Sequence, residues 1–257
     1  MESSLYNNLL DSKNIKEVVN ELRKLFVRPF LGGKEPCKEE LPSLLETLIQ
    51  SALLLKGINK DSKVILSLFN DKIPSLIKSL SHDLEAIYNG DPAAKDKVEI
   101  ILSYPGFLAI FVYRIAHELY LLDIPYLPRL MSEYAHSITG IDIHPGATIG
   151  EYFAIDHGTG IVIGETTIIG HHVRIYQGVT LGGISLERVD ELRGKKRHPT
   201  IGNYVSIYAG ATILGGDTII GDYALIGSNT YILESIEKNT IVRLSHVAME
   251  KIKRKAK

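Results

Sequence analysis

Histidine is the side chain best suited to moving a proton near neutral pH, and here its placement is uneven. His144, His157, His171 and His172 fall in the glycine-rich C-terminal half, and His198 closes a charged segment, Lys195-Lys196-Arg197-His198-Pro199. Acyl transfer to a hydroxyl requires a base of this pKa, helped by a carboxylate that fixes the tautomer and stabilises the imidazolium. His157 directly follows Asp156 in Ile-Asp-His-Gly-Thr-Gly, and Asp142 stands fifteen residues before it. Each histidine can equally be read as a hydrogen-bonded turn residue, and spacing alone does not choose. The cations at 195–198 could receive a carboxylate or a phosphate. No metal site is expected, because no second sulfur and no carboxylate cluster accompanies these histidines at ligand spacing. Asp91, in Asn89-Gly90-Asp91-Pro92, reads as an N-cap after a turn, with Pro92 at a first helical position.

Residues of this kind need a scaffold, and the C-terminal half carries one in its repeat. From 143 the chain divides into six-residue units whose first positions are Ile143, Ile149, Ile155, Ile161, Thr167, Val173 and Val179. The frame restarts with Ile201, Ile207, Ile213, Ile219, Leu225 and Tyr231. Eleven aliphatics in these thirteen slots point to a parallel β-helix: each hexad is a short strand and a turn, and three hexads close a triangular coil around a narrow apolar core. Thirteen hexads make slightly over four coils, and Asp142 and His157, one coil minus three residues apart, can approach on adjacent coils. Between the blocks, 185–200 loses the frame and becomes charged, an excursion of the sort that presents binding groups.

The first half has a different period. Ile15, Val18, Val19, Leu22, Leu25 and Phe26 step by three and four, which predicts a helix over 13–26. Further helices are expected over 43–55, 72–88, 107–122 (carrying Arg114 and His117) and 129–138. The composition agrees: 6 of 22 glycines fall in 1–140 and 16 in 141–257, while leucine divides 25 to 7 the other way, so two architectures share one chain. The fold class expected is α+β in sequence order, with a helical oligomerisation domain over 1–140, a β-helix over 141–236 with its loop at 185–200, and a basic tail over 237–257. One cysteine, Cys37, excludes a disulfide scaffold and suits a reducing cytoplasm. A net charge of −1 argues against a general nucleic-acid binder. No apolar run approaches a membrane span, and the first residues do not read as a signal peptide.

Asp-Ile-His-Pro at 142–145, Asp-His-Gly-Thr-Gly-Ile-Val-Ile-Gly-Glu-Thr at 156–166, Val-Thr-Leu-Gly-Gly at 179–183 and Arg-His-Pro at 197–199 together resemble serine acetyltransferase. Gly-Asp-Pro-Ala at 90–93 and Tyr-Arg-Ile-Ala-His at 113–117 are similar to that family's helical domain. The resemblance implies direct transfer of acetyl from acetyl-CoA, a co-substrate and not a resident cofactor, to the hydroxyl of L-serine. Its alternative within enzymes is another small hydroxy amino acid or a sugar as acceptor. His157 would be the general base, with Asp142 to orient it. Asp91 and Asp156 would bind the serine ammonium, and Arg197 with His198 its carboxylate. CoA would lie near Leu181, Gly182, Gly183, Ala209 and Gly210, with the Gly183 amide on the oxyanion. The family's β-helix is left-handed, with active sites between adjacent β-helices in a homotrimer, paired into hexamers, and L-cysteine competing for the serine pocket. Departures include the long charged loop, Tyr208 where small residues are common, and a final Lys-Ala-Lys. Members that dock onto O-acetylserine sulfhydrylase end in isoleucine, so docking by this tail is not expected.

Overall fold

The structure is a computed structural model that describes residues 10–36, 40–184 and 194–245. Cys37, most of the charged excursion and the end of the basic tail lie outside the described residues. Asp11 starts the first helix, its carboxylate accepting from the Asn14 amide at 2.7 Å. This helix, α1 (Ser12–Val27), buries Ile15, Val18, Val19, Leu22 and Phe26 and runs into a 3₁₀ turn, Arg28–Leu31. Among the described residues six more helices follow: α2 (Ser43–Lys56), α3 (Ser62–Asn70), α4 (Ile73–Gly90), α5 (Lys97–Ser103), α6 (Pro105–Leu121) and α7 (Leu127–Thr139). The expected helices over 13–26, 43–55, 72–88, 107–122 and 129–138 correspond to α1, α2, α4, α6 and α7. Short α3 and α5 were not foreseen, since nine and seven residues carry too few turns for a periodic signature.

The capping expectation at Asp91 fails. No helix starts at Pro92. Asp91 ends α4 in an extended conformation, and its carboxylate accepts from the Ala93 amide at 2.8 Å. The next helix is capped by Asp96, which accepts from the Glu99 amide at 2.8 Å.

After Gly140, which ends α7 in the left-handed region, the chain forms a left-handed parallel β-helix of about five coils. Its strands are β1 (Asp142–Ile143), β2 (Thr148–Ile149), β3 (Ala154–Asp156), β4 (Val162–Ile163), β5 (Ile168–Ile169), β6 (Arg174–Tyr176), β7 (Thr180–Gly182), β8 (Thr200–Ile201), β9 (Ser206–Ile207), β10 (Thr212–Leu214), β11 (Ile219–Ile220), β12 (Leu225–Ile226), β13 (Tyr231–Ile232) and β14 (Ile241–Val242). They stack into three faces: β1-β4-β7-β10-β13 on face one, β2-β5-β8-β11 on face two and β3-β6-β9-β12-β14 on face three. The last strand, β14, lies beyond the boundary expected at 236.

The six-residue frame holds with two slips. Register pairs Ile143 with Ile163, 20 residues on, so the corner at 156–160 is two residues longer than a hexad demands. Past it, the aliphatics aligned with Ile143 are Ile163, Ile169, Ile175 and Leu181, two after the positions the hexad count marks. Ile213 pairs with Ile232, 19 residues on, so one extra residue enters near Gly215, and Ile220, not Ile219, points inward. Ile161, Val173 and Val179 remain fully buried, because a coil has a second inward position two residues before the first. The first slip therefore left the frame on inward positions, whereas after the second Ile219 and Tyr231 stand outward, one residue before the buried Ile220 and Ile232.

Helix α6 is apolar nearly all round because it is shared. Its Phe107, Ile110 and Tyr113 join the core that fills the β-helix, while Phe111, Val112, Ile115 and Leu119 join the core of the helical bundle. A buried clamp fixes this junction. Arg114 donates from Nε and Nη2 to the two oxygens of Asp83, at 2.9 and 3.0 Å, and from Nη1 and Nη2 to the carbonyls of Ile149 and Gly150, both at 2.6 Å. The corner between faces two and three carries a column of stacked rings, His82–Tyr152–His172–Tyr204–Tyr223, with centroids 4.3, 4.3, 4.5 and 4.9 Å apart. The last four have φ between 57° and 61°. A left-handed backbone costs roughly 1–2 kcal/mol per residue, and each stacked pair contributes about 0.5–1.5 kcal/mol, so the column offsets much of its own strain. Among the described residues no single helix is long and apolar enough to cross a membrane.

Candidate active site

The lengthened corner between faces three and one presents His157. Its φ is +58°, and its side chain is 74% exposed, with Nε2 3.8 Å from Asp156 Oδ1. The same corner meets the end of α4. Tyr104 donates to Asp91 Oδ2 at 2.6 Å, which together with the Ala93 amide holds the Asp91 carboxyl below the usual range. The same bond pushes Tyr104 up to about 12. Arg174 stands 3.9 Å from Asp156 Oδ2 and donates to the Ala86 carbonyl at 2.6 Å. Asp91, Asp156 and His157 are thus gathered, with Arg174 and Tyr104 around them.

Arg197 and His198 stand elsewhere. They return from the charged excursion at the corner between faces one and two and rest against Glu165 and Thr166 of the preceding coil. Thr166 Oγ1 accepts from the Arg197 and His198 amides at 2.9 and 3.1 Å, and His198 Nδ1 accepts from the Thr166 amide at 3.0 Å. That bond fixes the tautomer: Nδ1 is the acceptor, so Nε2 carries the hydrogen. Burial, reinforced by Arg197, lowers His198 to about 4, and it is neutral at pH 7. Arg197 pairs through Nη2 with Glu165, while its Nη1 is buried without a partner among the described residues. Burial alone would raise the Glu165 carboxyl, but Arg197, His144 and Tyr120 together outweigh it and the net shift is downward.

Asp142 is not hydrogen-bonded to His157. Its carboxylate lies 4.0 Å from Arg129 Nη1, and it groups with Glu133 and His136 so that one ligand-type atom of each lies within 4.8 Å of the others. No spacing in the sequence signalled this grouping, which forms around His136 and not around a coil histidine. Arg129, paired with Glu133, already supplies a cation there. Of the other coil histidines, His144 Nδ1 accepts from the Gly146 amide, His171 Nδ1 from the Glu151 amide, and His172 belongs to the ring column. His144 and His171 follow the hydrogen-bonded turn-residue reading, whereas His172 is held at its turn by stacking.

The expected CoA positions fall at the two edges of face one. Leu181 is fully buried and can offer only backbone, whereas a Cβ at Gly183 would meet only the Arg197 carbonyl, at 3.5 Å. Across the face, Gly160, Gly178 and Gly210, all at positive φ, stack directly, and the Gly210 amide already donates to the Gln177 carbonyl at 2.9 Å. Ala209 precedes this column, and Tyr208 stacks on Tyr176 at 5.0 Å.

The family profile "Serine acetyltransferase, N-terminal" matches residues 37–111. A Helicobacter pylori serine acetyltransferase is 48% identical over 157 residues, 61% of this chain and 88% of that protein. The chain belongs to the serine acetyltransferase family. A plasmid serine acetyltransferase of Synechococcus elongatus is 47% identical over 182 residues, 70% of this chain but only 57% of that protein, so the match spans little more than half of the longer relative. The crystal structure of Entamoeba histolytica serine acetyltransferase 1 in complex with L-cysteine superposes with a TM-score of 0.76 at 38% identity, covering 94% of this chain and 97% of that one. A serine acetyltransferase solved with CoA superposes at 0.62 with 30% identity, covering 90% and 94%.

Against that family background, sequence reasoning missed Tyr104, Arg174, Glu165 and Thr166. Glu165 and Thr166 sit inside the motif at 156–166 but had no partner until coil register brought 197–198 beneath them. Arg174 bonds a carbonyl 88 positions away, which no local pattern reports.

Proposed function

We propose that the protein transfers the acetyl group of acetyl-CoA to the hydroxyl of L-serine, giving O-acetyl-L-serine and CoA. The observation that carries this reading is an exposed imidazole, His157, set on a lengthened corner beside two carboxylates, Asp91 from the helical half and Asp156 from the coil. Two carboxylates suit an ammonium, and His157 beside them suits the hydroxyl of the same acceptor. His157 takes the hydroxyl proton as the oxygen attacks the thioester carbonyl. The tetrahedral oxyanion is met by a backbone amide, for which Gly183 has the open surroundings. Collapse breaks the carbon–sulfur bond, and the departing thiolate takes the proton from the imidazolium. Asp142, which faces Arg129 and is not hydrogen-bonded to His157 in the described chain, would have to turn toward His157 to act as the carboxylate of the base.

The acceptor carboxylate goes to Arg197 Nη1, buried and unpartnered, and to His198 Nε2–H, freed by the Thr166 bond. In the described chain these donors lie at a different corner from His157. A full site therefore needs two copies side by side, which supports a homotrimer, paired into hexamers by the helical halves. L-Cysteine carries the same ammonium and carboxylate and would compete as a feedback inhibitor. Acetyl-CoA enters as a co-substrate and leaves as CoA in a cytoplasmic setting, with no resident cofactor.

The test is thiol release from acetyl-CoA with L-serine, homoserine or an amino sugar, for wild type and His157→Ala. Serine-dependent release that drops by roughly 10²–10⁴-fold in the variant is expected. Release that survives the substitution, or that prefers the sugar, overturns the reading.

A further inference from the structure

Asp91 and Asp156 belong to different domains, and their negative charges repel, so something must hold the two together. Beside these two carboxylates, Arg174 touches both domains. From β6 it reaches the last turn of α4, where Nη2 donates to the Ala86 carbonyl at 2.6 Å, a helix end that favours a cation. Its Nη1 is 3.9 Å from Asp156 Oδ2, leaving Oδ1 on the His157 side. Its charge also acts on Asp91. The guanidinium, 18% exposed as a side chain, lies against Gly90, the residue before Asp91, where any Cβ would overlap it.

We propose that Arg174 is the positioning residue of the ammonium pocket: it holds the Asp91-bearing end of α4 against the coil so that Asp91 and Asp156 converge on one cation. It also cancels one of their two charges, leaving the pocket matched to a single ammonium. Arg174 does not touch the reacting atoms. The glycine at 90 is then a requirement of the pocket, since the guanidinium occupies the space a side chain would need. This inference rests on the L-serine reading of the site.

The experiment is steady-state kinetics with L-serine and with 3-hydroxypropanoate, which lacks the ammonium, for wild type, Arg174→Ala, Arg174→Lys and Gly90→Ala. Arg174→Ala is expected to raise the serine KM by roughly 10- to 100-fold, the scale of one lost charged hydrogen bond, with kcat and the acetyl-CoA KM changed by no more than about threefold. Gly90→Ala, which keeps the arginine but displaces it, moves the serine KM in the same direction. Arg174→Lys recovers part of the loss, because an ammonium keeps the charge but cannot span both contacts. The preference for L-serine over 3-hydroxypropanoate shrinks in Arg174→Ala and Gly90→Ala. An unchanged serine KM in both, or an equal loss for the two acceptors, overturns the proposal while leaving the reaction intact. A wild type without serine-dependent thiol release overturns the reaction and this inference with it.

Discussion

His198 is held neutral by its surroundings, and that has a measurable cost. Its pKa is about 4 in the folded chain against an ordinary 6.5. As pH falls, the unfolded chain takes up the proton first, so this contribution to stability is complete above about pH 6.5 and drains away between there and pH 4. Unfolding in urea across that window should show falling stability, and His198→Asn, which cannot titrate, should flatten the slope. Arg197→Ala should weaken L-serine far more than CoA, by roughly 10-fold or more in serine KM; calorimetric titration of each ligand checks this, and equal losses would contradict it. The Asp156–His157 pair was legible because the two are adjacent in sequence, but the lengthened corner that presents them was not, since the hexad count ran straight through it. Tyr104 and Arg174 were not, since their roles exist only once α4 meets the coil. Asp91 was legible as a residue that mattered, but its local capping geometry was misread: an Asp before Pro can close a turn as well as open a helix.

At the scale of elements, the junction between α4, α6 and the first coil depends on Asp83 and Arg114. Burial pushes the Asp83 carboxyl up, while the guanidinium on both oxygens and the Phe153 amide donating at 2.9 Å act against that shift. Asp83→Ala leaves a buried guanidinium without its counter-charge and should cost about 3–5 kcal/mol in urea unfolding, whereas replacing both residues with leucine should recover much of that loss. An Asp83→Ala chain as stable as wild type would show that the helical half docks by apolar contact alone. The hexad signature predicted the β-helix correctly because one inward aliphatic per strand is a demand every coil repeats. It could not register the two-residue slip, because each coil has a second apolar position two residues away, and it ran through the one-residue slip because the outward Ile219, Leu225 and Tyr231 are themselves apolar. The helices long enough to show a face were equally readable; α3 and α5 were too short.

For the whole molecule, the two halves of the proposed site sit at different corners of one prism. In a ring of three copies, each site would take His157 from one chain and Arg197 from its neighbour. Co-expressing His157→Ala and Arg197→Ala chains in equal amounts should then restore about a quarter of the sites, since each half is intact in half of the copies. Thiol-release assays on the mixed assemblies read this directly, and no recovery would place both halves within one chain's reach. Trimer geometry was open to inference from the resemblance alone, because nothing in a repeat period tells which corners face a neighbour. The ring column along another corner has a different consequence. The chain has 13 tyrosines and no tryptophan, so its near-ultraviolet spectrum is mostly a tyrosine spectrum. Five of those tyrosines lie in near-parallel stacks along the coils: Tyr152, Tyr204 and Tyr223 in the column, and Tyr176 with Tyr208. The protein therefore carries a built-in optical gauge of coil stacking, and its near-ultraviolet circular dichroism should fade when coils part even while the far-ultraviolet signal of the helices persists.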